Sequence, residues 1–228
     1  MSCPLFKIRI IVCGLKIIPS PMRENQFKLF IDEVLSAQDH TDMVVGFDLV
    51  CEEDYNPAIG QFLHILYEGK AKAAAQNKKL DLYFHAGESN SRANVNLYDA
   101  IALGTKRIGH GFHIAYCPTL IEEVKKNDIC MEVCPISNFV LGYALDLRNH
   151  PARSLLHEGV PIALSSDDPG FFNYHGVTLD YVYAFLAWEL DLADLKKLAL
   201  NSLKYTSLKQ VEKDEIGRFF AKKWDSFV

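Results

Sequence analysis

Apolar positions along this chain fall into short β-branched runs that alternate with stretches of helical spacing. Residues 6–15 read as a strand. Residues 26–35 place Phe27, Phe30, Ile31, Val34 and Leu35 on one helical face. The pattern then repeats. Strands are predicted over 44–50, 80–84, 107–109, 129–133 and 161–165, with helices over 56–75, 97–103, 118–126 and 151–157 between them. Gly104 stops one helix and Pro118 opens another. The remainder, 178–224, is mostly helical, with Asn201 and Ser202 inside a helix. Six strands alternating with helices over short links predict a parallel α/β architecture.

Polar residues recur just past the strands: Glu52 and Glu53, His85 and Glu88, His110, Ser137 and Asn138, Asp167 and Asp168. In a parallel α/β barrel the C-terminal strand ends meet at one mouth, which is where active sites lie. That recurrence favours a shared site over scattered surface polarity. On the last strand Asp167 has the parity of Ala163 and Ser165, opposite to Ile162 and Leu164. If the latter pack on helices, Asp167 faces a strand-lined interior. A plainer reading of Asp167-Asp168-Pro169-Gly170 as turn and N-cap chemistry also stands.

Composition narrows the function. The 228 residues are 49% hydrophobic and 23% charged, enough for one large domain with a substantial core. The formal net charge is −5 and no basic run occurs, which argues against nucleic acid or an anionic membrane as partner. No apolar run is long enough to span a membrane or resembles a signal peptide. The six cysteines (Cys3, Cys13, Cys51, Cys117, Cys130 and Cys134) contain no CxxC pair, so a thiolate zinc cluster is not expected. No GxGxxG or GxxxxGK turn supports phosphate binding.

What remains is a kit for metal-activated hydrolysis. An imidazole at His85 can hold a divalent ion. Glu88 follows three residues later, past Gly87, which permits a tight turn, and a carboxylic acid there can shuttle a proton. His110 sits between Gly109 and Gly111, which let a ligand approach closely, and it can orient a water; His113 reads as structural. Asp167 offers a hard oxygen ligand, and Asp168 is left free to bond a substrate.

Four motifs in order, His85-Ala86-Gly87-Glu88, Arg107-Ile108-Gly109-His110-Gly111, Cys134-Pro135-Ile136-Ser137-Asn138 and Ser165-Ser166-Asp167-Asp168-Pro169, resemble those of adenosine deaminases. Gly46-Phe47-Asp48-Leu49-Val50, Asp146-Leu147-Arg148-Asn149-His150-Pro151 and Asn201-Ser202-Leu203-Lys204-Tyr205 resemble the secreted, growth-factor-type branch of that family. The resemblance covers nearly the whole chain. It implies a TIM-type (β/α)8 barrel of the metallo-dependent hydrolase type and one zinc ion with His85 and Asp167 among its ligands. It implies Glu88 as the acid that protonates the purine ring nitrogen, His110 as the residue that orients the attacking hydroxide, and substrate contacts at Asp168, Gly87 and Cys51. The implied reaction converts adenosine, and 2′-deoxyadenosine, to inosine and ammonia. The implied location is extracellular.

Two departures shape the expectations. The family barrel has eight strands, whereas six are predicted here, and the strand over 6–15 resembles the family's third. The chain is thus expected to be a single incomplete catalytic barrel over 1–228, lacking the first two strand–helix units. The HxH pair that supplies two more zinc ligands is expected to be missing with them, as is the N-terminal segment through which full-length relatives form a homodimer. A shortened pseudoenzyme that binds nucleosides or acts in extracellular signalling is the alternative. Second, Cys51 stands where the family usually has glycine, which raises the prospect of another 6-aminopurine as substrate.

Overall fold

A computed structural model describes residues 6–228. Its elements follow the predicted alternation: β1 (Ile10–Leu15), α1 (Met22–Ala37), β2 (Val44–Val50), α2 (Leu63–Ala75), β3 (Phe84–Ala86), α3 (Asn96–Ala102), β4 (Arg107–His110), α4 (Pro118–Lys126), β5 (Cys130–Val133), α5 (Pro135–Val140), α6 (Ala152–His157), β6 (Ile162–Leu164), α7 (Thr178–Ala187), α8 (Leu192–Lys204) and α9 (Gln210–Asp225). Asn201 and Ser202 lie in α8, as expected.

All strand pairs are parallel and run in chain order. β1 pairs with β2, and β3, β4, β5 and β6 form a four-stranded sheet. A parallel bridge between Phe47 and Leu82 joins the two, with the Phe47 N–H donating to Asp81 O and the Tyr83 N–H to Phe47 O, both at 3.0 Å. Strand order follows chain order, with a helix after each strand, as in parallel α/β units. Among the described residues β1 and β6 are not paired with each other, so the observed architecture is an open parallel α/β wall.

The register explains which face does what. Phe84, Ile108, Met131 and Ile162 align across four strands and are fully buried on one face, in one core with Phe27, Ile31, Phe62, Ile65 and Leu66 from the helices. The other face carries His85, Gly109, Glu132 and Ala163 in register. Because side chains alternate along a strand, packing the apolar set on helices turns the polar set to the inner face.

Three predicted elements differ. The first strand starts at Ile10, since pairing with β2 begins there, and Phe6 and Ile8 are exposed beyond it. The third begins at Phe84, because residues 80–83 touch β2 only through the bridge. Helix α5 lies in a stretch for which the sequence predicts no element; Pro135 at its first turn, where no N–H is needed, starts it.

The seam between the sheets gives a testable point. A methyl group on Gly46 would lie 2.5 Å from both the Asp81 carbonyl and the Tyr83 ring. Gly46→Ala is expected to lower stability by about 1–3 kcal/mol through overpacking, read as a lower urea midpoint.

Candidate active site

The polar residues at the strand ends do converge. One ligand atom each from His85, His110 and Asp167 lies within 4.8 Å of the others. His85 and His110 rings are 5.1 Å apart, and His110 Nε2 is 4.0 Å from Asp167 Oδ2. Glu88 Oε1 is 3.2 Å from His110 Nδ1. The four residues expected to act together therefore share one pocket of the inner face.

A repeated backbone device aims them. Cys51 after β2, Gly87 after β3, His110 ending β4 and Asp167 after β6 all have positive φ, at 99°, 78°, 62° and 54°. A left-handed residue turns the chain sharply and breaks the strand's up-and-down alternation. Only glycine adopts it freely, so the three other residues carry local strain, which tends to collect at functional sites.

A second layer of carboxylates fixes the first. Asp48, buried in β2, accepts from His85 Nδ1 at 2.5 Å and from the His85 backbone N–H at 2.9 Å. With Nδ1 so engaged, His85 offers Nε2 to a ligand, the orientation that carboxylate-backed histidines give to metals. Ser137 donates to Asp167 Oδ2 at 2.7 Å. Glu53, also buried, receives the N–H groups of Gly87 and Glu88 at 3.0 and 2.8 Å and the side-chain amides of Asn94 and Asn96 at 2.9 and 2.7 Å. It thus clamps the loop that bears Glu88.

The charges shift the acids and bases in opposed directions. Burial, with Asp167, Glu53 and Glu52 nearby, pushes Glu88 up to about 8, so it is a neutral acid at pH 7. Burial works against a charged His85, yet the Asp48 carboxylate, with Glu132 and Glu88, overrides it and raises the ring to about 10. Burial and the charged His85 hold His110 well below the usual histidine range, leaving it neutral. Behind the site, burial lowers His150 to about 4.

The remaining expected residues are placed as follows. Asp168 is exposed beside the site; its carbonyl accepts the N–H groups of Phe171 and Phe172 at 3.0 and 3.2 Å. Gly87 is buried with both backbone polar groups engaged inward, its N–H on Glu53 and its carbonyl accepting the His113 N–H at 2.8 Å. Cys51 is half-buried at the rim, directly before Glu52 and Glu53. His113 is buried. Cys13, Cys51, Cys117, Cys130 and Cys134 are free thiols, while Cys3 lies outside the described residues.

Sequence reasoning did not assign roles to Asp48, Glu53, Ser137 and Asn138. Asp48 left a signal, since it is an acid within the otherwise apolar run 44–50. Glu53 left none that sets it apart from Glu52 and Asp54.

Comparison with known proteins places the chain in a family. The family model described as adenosine deaminase matches residues 6–222. Adenosine deaminase 2 from Dictyostelium discoideum is 40% identical over 220 residues, covering 94% of this chain and 40% of that protein. Adenosine deaminase 2 from Homo sapiens is 38% identical over 225 residues, covering 94% of this chain and 43% of that protein. A zinc-bound amidohydrolase from Burkholderia ambifaria superposes with a TM-score of 0.77 at 20% identity, over 96% of this chain and 57% of that one. The chain thus spans about 40% of the length of the curated relatives it matches.

Two outcomes follow from the site. Cys51→Gly releases a left-handed non-glycine residue and is expected to raise stability by about 1 kcal/mol or more, seen as a higher melting temperature. His150 is held below its unfolded value near 6.5, so the unfolded chain binds a proton first as pH falls. Stability is expected to drop by about 1.4 kcal/mol per unit between pH 6 and 4 from this residue. Denaturant titrations should show a shallower pH dependence in His150→Gln.

Proposed function

The chain belongs to the adenosine deaminase family, and we propose that it forms most of a catalytic unit for hydrolytic deamination of adenosine and 2′-deoxyadenosine. One observation carries this reading: the Glu88 carboxyl, which burial and neighbouring acids push up to about 8, lies 3.2 Å from the His110 ring, which burial and His85 push well down, and both sit beside a His/Asp cluster. Deamination needs a proton delivered to the purine ring nitrogen and a water stripped of one at the adjacent carbon. A neutral acid and a neutral base set side by side supply both.

The donor set fits a zinc ion. His85 holds Asp48 through Nδ1 and would bind a metal at Nε2 in place of the proton its raised ring carries there, and Asp167, fixed by Ser137, presents a carboxylate oxygen within reach. Zinc bound there would make water acidic enough to be deprotonated near neutral pH. His110 orients the attacking water and takes its proton at Nε2, the ring nitrogen facing Asp167. Glu88 gives its proton to the purine nitrogen, which draws electrons from the carbon bearing the amine. Water adds at that carbon; the amine takes the proton held by His110 and leaves as ammonia, and the new hydroxyl gives its proton back to Glu88 as the carbonyl forms. Asp168, exposed at the rim, contacts the purine from the side.

The same reading takes residues 1–228 as one catalytic unit of a (β/α)8 barrel whose first two strand–helix units lie outside this chain. It supports a small-molecule nucleoside partner, a homodimer in the full-length protein and an extracellular setting. Among the described residues no helix is long and apolar enough to cross a membrane. A second reading, deamination of another 6-aminopurine, is favoured by Cys51: its φ of 99° puts a side chain where the bend would ordinarily be a glycine.

The test joins this chain to the preceding segment of the Dictyostelium relative and follows adenosine loss by absorbance, with zinc counted per chain. Glu88→Gln is expected to keep its zinc and lose about 10²–10⁴ in rate; Asp167→Ala is expected to lose both zinc and turnover. Undiminished turnover in either variant would remove the roles assigned here, and exclusive turnover of adenosine in an aminopurine panel would reject the second reading.

A further inference from the structure

The run Asp146-Leu147-Arg148-Asn149-His150-Pro151 has no part in the reaction just described, yet it ends in a buried histidine that reaches the site through one intermediary. The His150 ring is wedged between Phe112, edge-on at 5.3 Å, and Trp188 at 5.4 Å. The loop beneath it is fastened: Asp146 accepts the Arg148 N–H at 2.9 Å, and Trp188 Nε1 donates to Leu147 O at 2.9 Å.

Hydrogen bonding decides which ring nitrogen carries the proton. The Ala152 N–H donates to His150 Nδ1 at 3.1 Å, so Nδ1 is an acceptor. The proton is therefore on Nε2, which lies 3.0 Å from Asn138 Oδ1 and donates to it. That bond fixes the Asn138 amide, itself buried, with its NH2 turned the other way. There Nδ2 is 3.4 Å from Glu88 Oε1 and 3.5 Å from His110 Nδ1. A neutral carboxylic acid has one oxygen that accepts and one that bears the proton. Oε1 faces this NH2 and also His110 Nδ1 at 3.2 Å, which carries the ring proton when Nε2 serves as the base; together the two donors make Oε1 the acceptor and leave the proton on Oε2.

We propose that His150 is a positioning residue: through its Nε2–H it locks the Asn138 amide with NH2 toward Glu88, so that the acid's proton stands on Oε2, free to be given to the purine. The proposal rests on the reading of Glu88 as the acid. Without the Nε2 donor, Asn138 can flip and set an oxygen against both Oε1 and His110 Nδ1; that oxygen draws the Nδ1 proton away from Oε1, and the acid can then turn its own proton onto Asn138.

The experiment is chosen so that neither zinc nor turnover is needed. In the ¹⁵N-labelled 228-residue protein, the side-chain NH2 of Asn138, assigned by its loss in Asn138→Asp, is followed by exchange with water. Slow exchange is expected in the wild type. His150→Gln, which keeps a donor at the position of Nε2, is expected to stay within about threefold of it. His150→Asn, which keeps an acceptor like Nδ1 but no such donor, and His150→Phe, which keeps the ring packing, are each expected to exchange at least tenfold faster. All variants are compared well below their own melting temperatures. Fast exchange in the wild type, equal exchange in wild type and His150→Phe, or a Gln variant that behaves like Phe would overturn the proposal, whatever the deamination assay shows. In the zinc-loaded fusion, His150→Phe should lower kcat at least tenfold with KM within twofold, and His150→Gln should restore it; a change confined to KM would also overturn it.

Discussion

Everything at the working end of this molecule answers to crowded negative charge. Asp48, Glu53, Glu88 and Asp167 meet at one rim of a parallel sheet, and two of them, Asp48 and Glu53, are almost wholly buried. Carboxylates in so little water need compensation. Each finds a different one. Asp48 faces the His85 ring. Glu53 collects four N–H donors. Glu88 keeps its proton. Asp167 stands beside a serine hydroxyl and two imidazoles. The division sets the chemistry: where several N–H donors converge, an acid is fixed as an acceptor, and where burial and neighbouring acids outweigh the donors at hand, it becomes a proton carrier.

That charge pattern needs accurate aim, and the backbone supplies it at some cost. Left-handed residues at the ends of β2, β3, β4 and β6 turn the chain out of the sheet within one residue. Three of the four are not glycine, so the surrounding structure holds them in conformations they would otherwise avoid. The fully buried stripe of Phe84, Ile108, Met131 and Ile162 provides the rigid footing. Slippage of any strand by one residue would turn its apolar set to the polar face, so core packing and site geometry are secured by the same register.

Much of this could be read from the order of residues. The alternation of strands and helices, the parallel class and the inward parity of His85 follow from periodicity, because burial of the apolar set leaves the other face no choice. Asp167 lies past the end of β6, and its left-handed turn aims it. The four strand-end motifs carried the family resemblance. Strand lengths were less legible. Residues 6–9 and 80–83 look as β-branched or apolar as their neighbours, and only the presence of a pairing partner decides whether they become strand.

The sequence alone determined which chemistry is possible here: imidazoles and carboxylates at successive strand ends, with glycines beside them. Only the tertiary structure decided which acid holds a proton and which residue holds another in place. Glu52, Glu53 and Asp54 are neighbours of similar type, yet Glu53 is the buried one that takes the Gly87 and Glu88 N–H groups, while exposed Asp54 holds the same loop through Ser89. His150 lies 40 positions from His110 in sequence and reaches it through Asn138. Protonation and orientation depend on distances between groups far apart in the chain and on how much water the fold leaves between them, and neither quantity exists until the strands are paired.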